Sequence, residues 1–261
     1  MGNKKILHYM SLAFAALAML VQILAVIMQY DKGSNYFNNG AFLPTAAVAV
    51  ALIAAAFGTV FACTARCDAG SADVFSDTSP LASALSATGF VVAAVCLILH
   101  FAATPISGIA ILAIFTCFGA ALYALATVSA ILRARVNAIS FMGFLAPIAC
   151  IVLNAYYYFD TTIEMNSPVK TFTQVGLLCV MLYFISEIRF LMGAPMPRVY
   201  LTICAWVQSF GALSAAIPII YLSGKCERLD YVAGALLILC VLVASILRTQ
   251  ALLRSAEDAS L

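Results

Sequence analysis

Apolar runs long enough to cross a lipid bilayer follow one another along nearly the whole chain, separated by short polar connections. A hydrocarbon core about 30 Å thick needs about 20 helical residues. Eight stretches meet or approach that length: residues 6–29, 41–63, 81–103, 107–132, 138–159, 170–192, 199–222 and 231–253. The connections hold the turn formers and much of the charge, as in Asp31 to Asn35, Asn166 to Pro168, Ala194 to Arg198 and Ser223 to Arg228. The break from Thr104 to Gly108 carries no charge, so seven and nine spans stand beside eight as readings. The first run opens on Lys4 and Lys5 but is long and lacks a small-residue cleavage site, so it reads as a retained helix.

Within these runs the pattern has a helical period. Positions alternately three and four apart in the first helix read His8, Ser11, Ala15, Ala18, Gln22, Ala25 and Gln29, while the positions between are mostly large and apolar. Similar seams run through Ala82, Ser86, Gly89, Ala93, Cys96 and His100, through Thr116, Gly119, Tyr123, Ala126 and Ala130, and through Thr173, Gly176, Val180, Tyr183 and Glu187. In lipid, helices associate through small residues and through polar groups that find partners across the interface. Each seam is therefore expected to face neighbouring helices. Pro147 and Pro218 fall inside the fifth and seventh runs and predict kinks there.

Composition closes off a soluble fold. Hydrophobic residues make up 65% of the 261 and charged residues 9%, against about 25% charged in soluble domains. The fold class expected is all-α: a polytopic transmembrane helix bundle of about eight spans, forming one integral membrane domain over 1–261. Net charge is +2; its distribution is the informative part. With the N-terminus inside, Lys4, Lys5, Arg66, Arg133, Arg135, Arg189, Arg198, Arg248 and Arg254 fall on the cytosolic side, and Lys32, Lys170, Lys225 and Arg228 outside. That bias follows the positive-inside rule and predicts both termini in the cytosol. The longest connection, Thr64 to Pro80, is then cytosolic, and its aspartates lack calcium-loop spacing.

Candidate chemistry is sparse. Most of the nine cysteines sit in apolar stretches and read as small hydrophobes. Cys63 and Cys67 lack a second ligand pair, so no metal is expected. All five lysines lie at helix ends or in loops, which excludes a retinal Schiff base at mid-membrane. Phosphate-loop, zinc-protease and serine-elbow motifs are absent. No cofactor is implied, and no charge run suggests nucleic acid.

Ionisable and strongly polar groups inside a membrane point to function. Glu187 lies near the cytosolic end of the sixth run, as an interfacial anchor or a proton or cation site. His100 ends the third run, at the level of Asn154, Tyr156, Tyr157, Tyr158, Asp160 and Lys170; if the fifth helix lies beside the third, these form an outward-facing vestibule. Gln22 and Gln208 are the strongly polar residues deepest in their spans. Gln22, His100, Asn154 and Gln208 are the candidate solute contacts, with helix-to-helix glue as the alternative for the glutamines. No catalytic residue is nominated.

The leading expectation is a small permease, or the membrane subunit of a transporter, for a small and weakly charged or apolar solute. A non-transporting sensor, assembly factor or scaffold acting through helix contacts is the alternative, and a lipid-acting membrane enzyme a third. The expected partners are the bilayer and either a solute or other membrane subunits. The absence of Asn-x-Ser/Thr sites fits a bacterial plasma membrane.

Overall fold

The computed structural model describes residues 2–31, 36–65, 80–127, 142–192, 194, 196–216 and 228–258. Among these residues it is an all-α bundle of eight helices: α1 (Gly2–Gln29), α2 (Leu43–Thr64), α3 (Pro80–Phe101), α4 (Gly108–Ala126), α5 (Leu145–Phe159), α6 (Pro168–Leu191), α7 (Pro197–Ala216) and α8 (Leu229–Asp258). Two-residue strands β1 (Tyr30–Asp31) and β2 (Tyr36–Phe37) pair antiparallel between α1 and α2. Seven of the helices are long and apolar enough to cross a bilayer.

α5 is the exception. Its 15 residues rise roughly 22 Å at 1.5 Å per residue. It nevertheless traverses the bundle: Gly143, just before it, packs against Tyr123 and Ile188, while Tyr156 and Tyr157 near its far end bond to Asp230. The first residues of the predicted fifth span, 138–141, lie outside the described residues, as do Pro218, Cys67, Cys226 and the aspartates between Thr64 and Pro80. Pro147 lies just after a break in the helix: Met142 and Gly143 are helical, Phe144 is a turn and α5 restarts at Leu145, as expected where a proline cannot donate to the carbonyl four residues back, here that of Gly143. The uncharged break between the third and fourth runs is a true turn. α3 ends at Phe101, and Ser107 caps α4 by accepting a hydrogen bond from the Ala110 N–H at 3.2 Å.

Neighbours along the sequence pack side by side from α3 to α8, and α8 returns to lie along α3 while also touching α6. These six helices close a ring. The α1–α2 hairpin stands outside it, against α7. The periodic seams do face inward: His8, Ser11, Ala15, Ala18, Gln22 and Ala25 are all buried, whereas Leu17, Leu20, Leu24 and Ile27 of the same helix are exposed. Apolar side chains facing outward suit lipid as the solvent, since transfer to hydrocarbon costs them nothing. Small residues set the closest approaches. A Cβ on Gly58 would collide with Ala205 Cβ and lie 2.9 Å from Ser11 Oγ, which welds α1, α2 and α7 at one level.

Candidate functional site

The buried charges gather at the two ends of the ring, and α8 contributes to both. Asp230 and Arg248 stand eighteen positions apart on α8, roughly 27 Å along its axis.

At the Asp230 end, Asp230 is fully buried. Arg228 grips it from two sides, Nε donating to Oδ1 at 3.1 Å and Nη2 to Oδ2 at 2.9 Å. The same Nη2 donates to Asp160 Oδ2 at 2.5 Å and Nη1 to Thr162 Oγ1, so one guanidinium ties the start of α8 to the α5–α6 connection. Three tyrosines complete the network. Tyr156 donates to Asp230 Oδ2 at 2.9 Å, Tyr157 to the Asp230 carbonyl at 2.7 Å, and Tyr231 to Asp160 Oδ2 at 3.0 Å. Lys170 is buried and donates to the Asp160 carbonyl at 2.6 Å. His100 brings Nδ1 to 3.8 Å from Asp230 Oδ1. Burial disfavours the charge on Asp160, yet hydrogen bonds from Thr162 and Arg228 outweigh it and hold the carboxyl below its ordinary value. Arg228 is likewise opposed by burial, but its two aspartate partners raise its proton affinity.

At the Glu187 end, one carboxylate oxygen collects donors from three helices. Arg248 Nε of α8 approaches Glu187 Oε1 at 3.3 Å, Tyr183 of α6 donates to it at 2.8 Å, and Tyr200 of α7 at 3.4 Å. Arg248 Nη2 also donates to Ser83 Oγ of α3 at 2.8 Å, and Ser83 in turn accepts from Thr127 beyond the end of α4. The Tyr123 hydroxyl is buried close by with no hydrogen-bond partner. Fully buried apolar side chains, among them Phe90, Leu177, Val180, Leu237, Ile238 and Val241, fill the ring between the networks.

Of the residues nominated from sequence, His100, Tyr156, Tyr157, Asp160 and Lys170 do converge. α3 and α5 meet there through an edge-on contact of Phe101 with Tyr156, ring centroids 5.9 Å apart. Tyr158 faces outward. Asn154 turns back on its own helix, donating to the Cys150 carbonyl at 3.1 Å. Gln22 and Gln208 are both buried but sit on different levels: Gln208 is one turn along α7 from Ala205, which packs at the level of Ser11, whereas Gln22 is three turns along α1 from Ser11. The four candidate solute contacts thus fall in separate places. Glu187 is half of a buried ion pair with Arg248, and Arg189 is exposed.

Sequence reasoning missed Arg248 as the partner of Glu187, and missed Asp230 altogether. A signal existed for the first: an arginine ten residues inside the end of an apolar helix, at the depth of a glutamate on another. Asp230 follows Arg228 at a helix start and reads locally as an N-terminal acidic residue, so only its neighbours mark it. Among the described residues, no group of three His, Cys, Asp or Glu side chains has the spacing to hold a metal. No family model matches the chain, and no curated protein or solved structure is similar to it.

Proposed function

We propose that this chain is a small permease, or the membrane subunit of a transport system, that moves a small, weakly charged or apolar solute across a bacterial plasma membrane. Both termini lie in the cytosol, which makes the Glu187 end the inner one. One observation carries the reading: two ion-pair networks, one buried and one half-buried, lie at the two ends of the same six-helix ring, roughly 27 Å apart, close to the thickness of a bilayer core. Two closures in series are what alternating access requires, because one must hold while the other opens. Of the described buried charges of the ring, Asp230 is paired with Arg228 and Glu187 with Arg248, while Lys170 donates to the backbone carbonyls of Asp160 and Ile163. A strongly charged solute would have to break those pairs, so a neutral one suits the interior. His100 and Asn154 at the outer mouth and Gln208, roughly 16 Å into α7 from Pro197, are the solute contacts along the way, and Glu187 is the group through which a proton or cation would act.

The close-packed apolar layer between the networks favours a second reading, a non-transporting protein that acts through helix contacts. Proteoliposome flux separates the two. With closures in series, Arg228→Met alone or Arg248→Met alone leaves vesicles tight to glycerol, and the double substitution makes them leak. Wild-type vesicles should accumulate at least one member of a panel of amino acids, nucleobases, vitamins and sugars. If no solute moves and the double variant stays as tight as the single ones, the permease reading is wrong.

A further inference from the structure

Where the α1–α2 hairpin meets α7, the helices α1, α2 and α7 share a second, smaller apolar cluster. Its fully buried members are Ala18, Ala47, Ala51 and Leu213, with Phe172 and Phe210 packed against it. Three of the four are alanines, so its walls carry little side chain. Gln22 lies one turn from Ala18 on the same face of α1, with no exposure at all. Helical side chains lean toward the N-terminus of their own helix, which carries the Gln22 amide back over Ala18 and the cluster. Neither Nε2 nor Oε1 of that amide has a hydrogen-bond partner.

An amide brings two donors and an oxygen with two acceptor positions, and leaving all of them unpaired in an apolar interior is costly. On the same seam Ser11 donates to the Ala54 carbonyl at 2.8 Å, and His8 leaves one ring nitrogen, Nε2, without a partner, so Gln22 is the residue there whose donor and acceptor atoms are both unpaired. We infer that Gln22 is the recognition group of a binding site for a neutral ligand that presents a donor and an acceptor side by side, as a primary carboxamide or lactam does. Gln22 Oε1 accepts from the ligand N–H, Nε2 donates to the ligand carbonyl, and the apolar remainder of the ligand lies on Ala18, Ala47, Ala51 and Leu213. No charged side chain belongs to the cluster, so a carboxylate of the same shape would be buried without a counter-ion. This site goes beyond the transport reading and does not need the ring to conduct.

Thermal melting of the purified full chain in detergent, with benzamide, benzoate and toluene as probes, tests the inference. Benzamide should raise the melting temperature saturably, while benzoate and toluene at the same concentrations should not. Gln22→Leu should abolish the benzamide shift yet melt, unliganded, at or above the wild-type temperature, because it removes an unpaired buried amide. Ala47→Val, which narrows the site without touching the amide, should weaken the shift. The inference fails if benzamide does not stabilise wild type, if Gln22→Leu keeps the response, or if Gln22→Leu melts lower or does not fold, since the amide would then be structural glue. Saturable stabilisation together with vesicles that move no solute would leave this site standing and remove the permease.

Discussion

Glu187 and Arg248 show how a single contact can be indispensable without being a net source of stability. A buried charge is tolerated when its partner and further hydrogen bonds replace water, and Glu187 Oε1 has Arg248, Tyr183 and Tyr200 around it. Removing one partner strands the other. Arg248→Met should therefore cost about 3–5 kcal/mol of unfolding free energy in a denaturant titration. Adding Glu187→Gln to it should recover a large part of that loss, because both charges are then gone. A double variant as unstable as Arg248→Met alone would mean that the bond to Ser83, rather than the ion pair, holds the Glu187 end. The three consecutive tyrosines teach a related lesson. Successive helical positions point about 100° apart, so Tyr156 and Tyr157 reach Asp230 while Tyr158 faces outward.

Helices in this bundle approach as closely as their small residues permit. α2 meets α7 where Gly58 faces Ala205 and Ser11. Neither Ala205 Cβ nor the helix backbone can rotate away, unlike the end of a long side chain. Gly58→Ala should thus force α2 away from α7 and cost about 1–3 kcal/mol as overpacking, read from the same denaturant titration. An unchanged midpoint would show that the two helices slide freely past one another. The α8 seam behaves similarly on a larger scale. Gly89 of α3 and Gly176 of α6 both lie where an added Cβ would come within 3 Å of an α8 side chain, which lets one long helix lie along α3 and still touch α6.

The proposed threading has eight alternating crossings, which return the chain to the face from which it set out, and in that threading the arginines and lysines of the connections place that face in the cytosol. Reporter tags inserted near Asp31, Asp160 and Lys225 should all be accessible from outside intact cells, and tags at both termini should not. A tag at any of the three positions found on the same side as the termini would refute the threading and reverse the identity of the two closures.

Sequence by itself determined the all-α membrane class, the rough bounds of the helices, and which stripe of a helix turns inward. These follow from hydrocarbon thickness and a 3.6-residue period, both of which act locally on a short stretch of chain. The depth of His8, Gln22, Glu187 and Gln208 was legible for the same reason. Tertiary structure alone decided that Arg248 belongs to Glu187, that Asp230 gathers Arg228, Tyr156 and Tyr157, and that Gln22 and Gln208 occupy different levels. Depth along one helix is written in its residue numbers. Which helices stand beside one another is settled by the fit of small residues and paired charges across the whole bundle, and no single stretch contains that information.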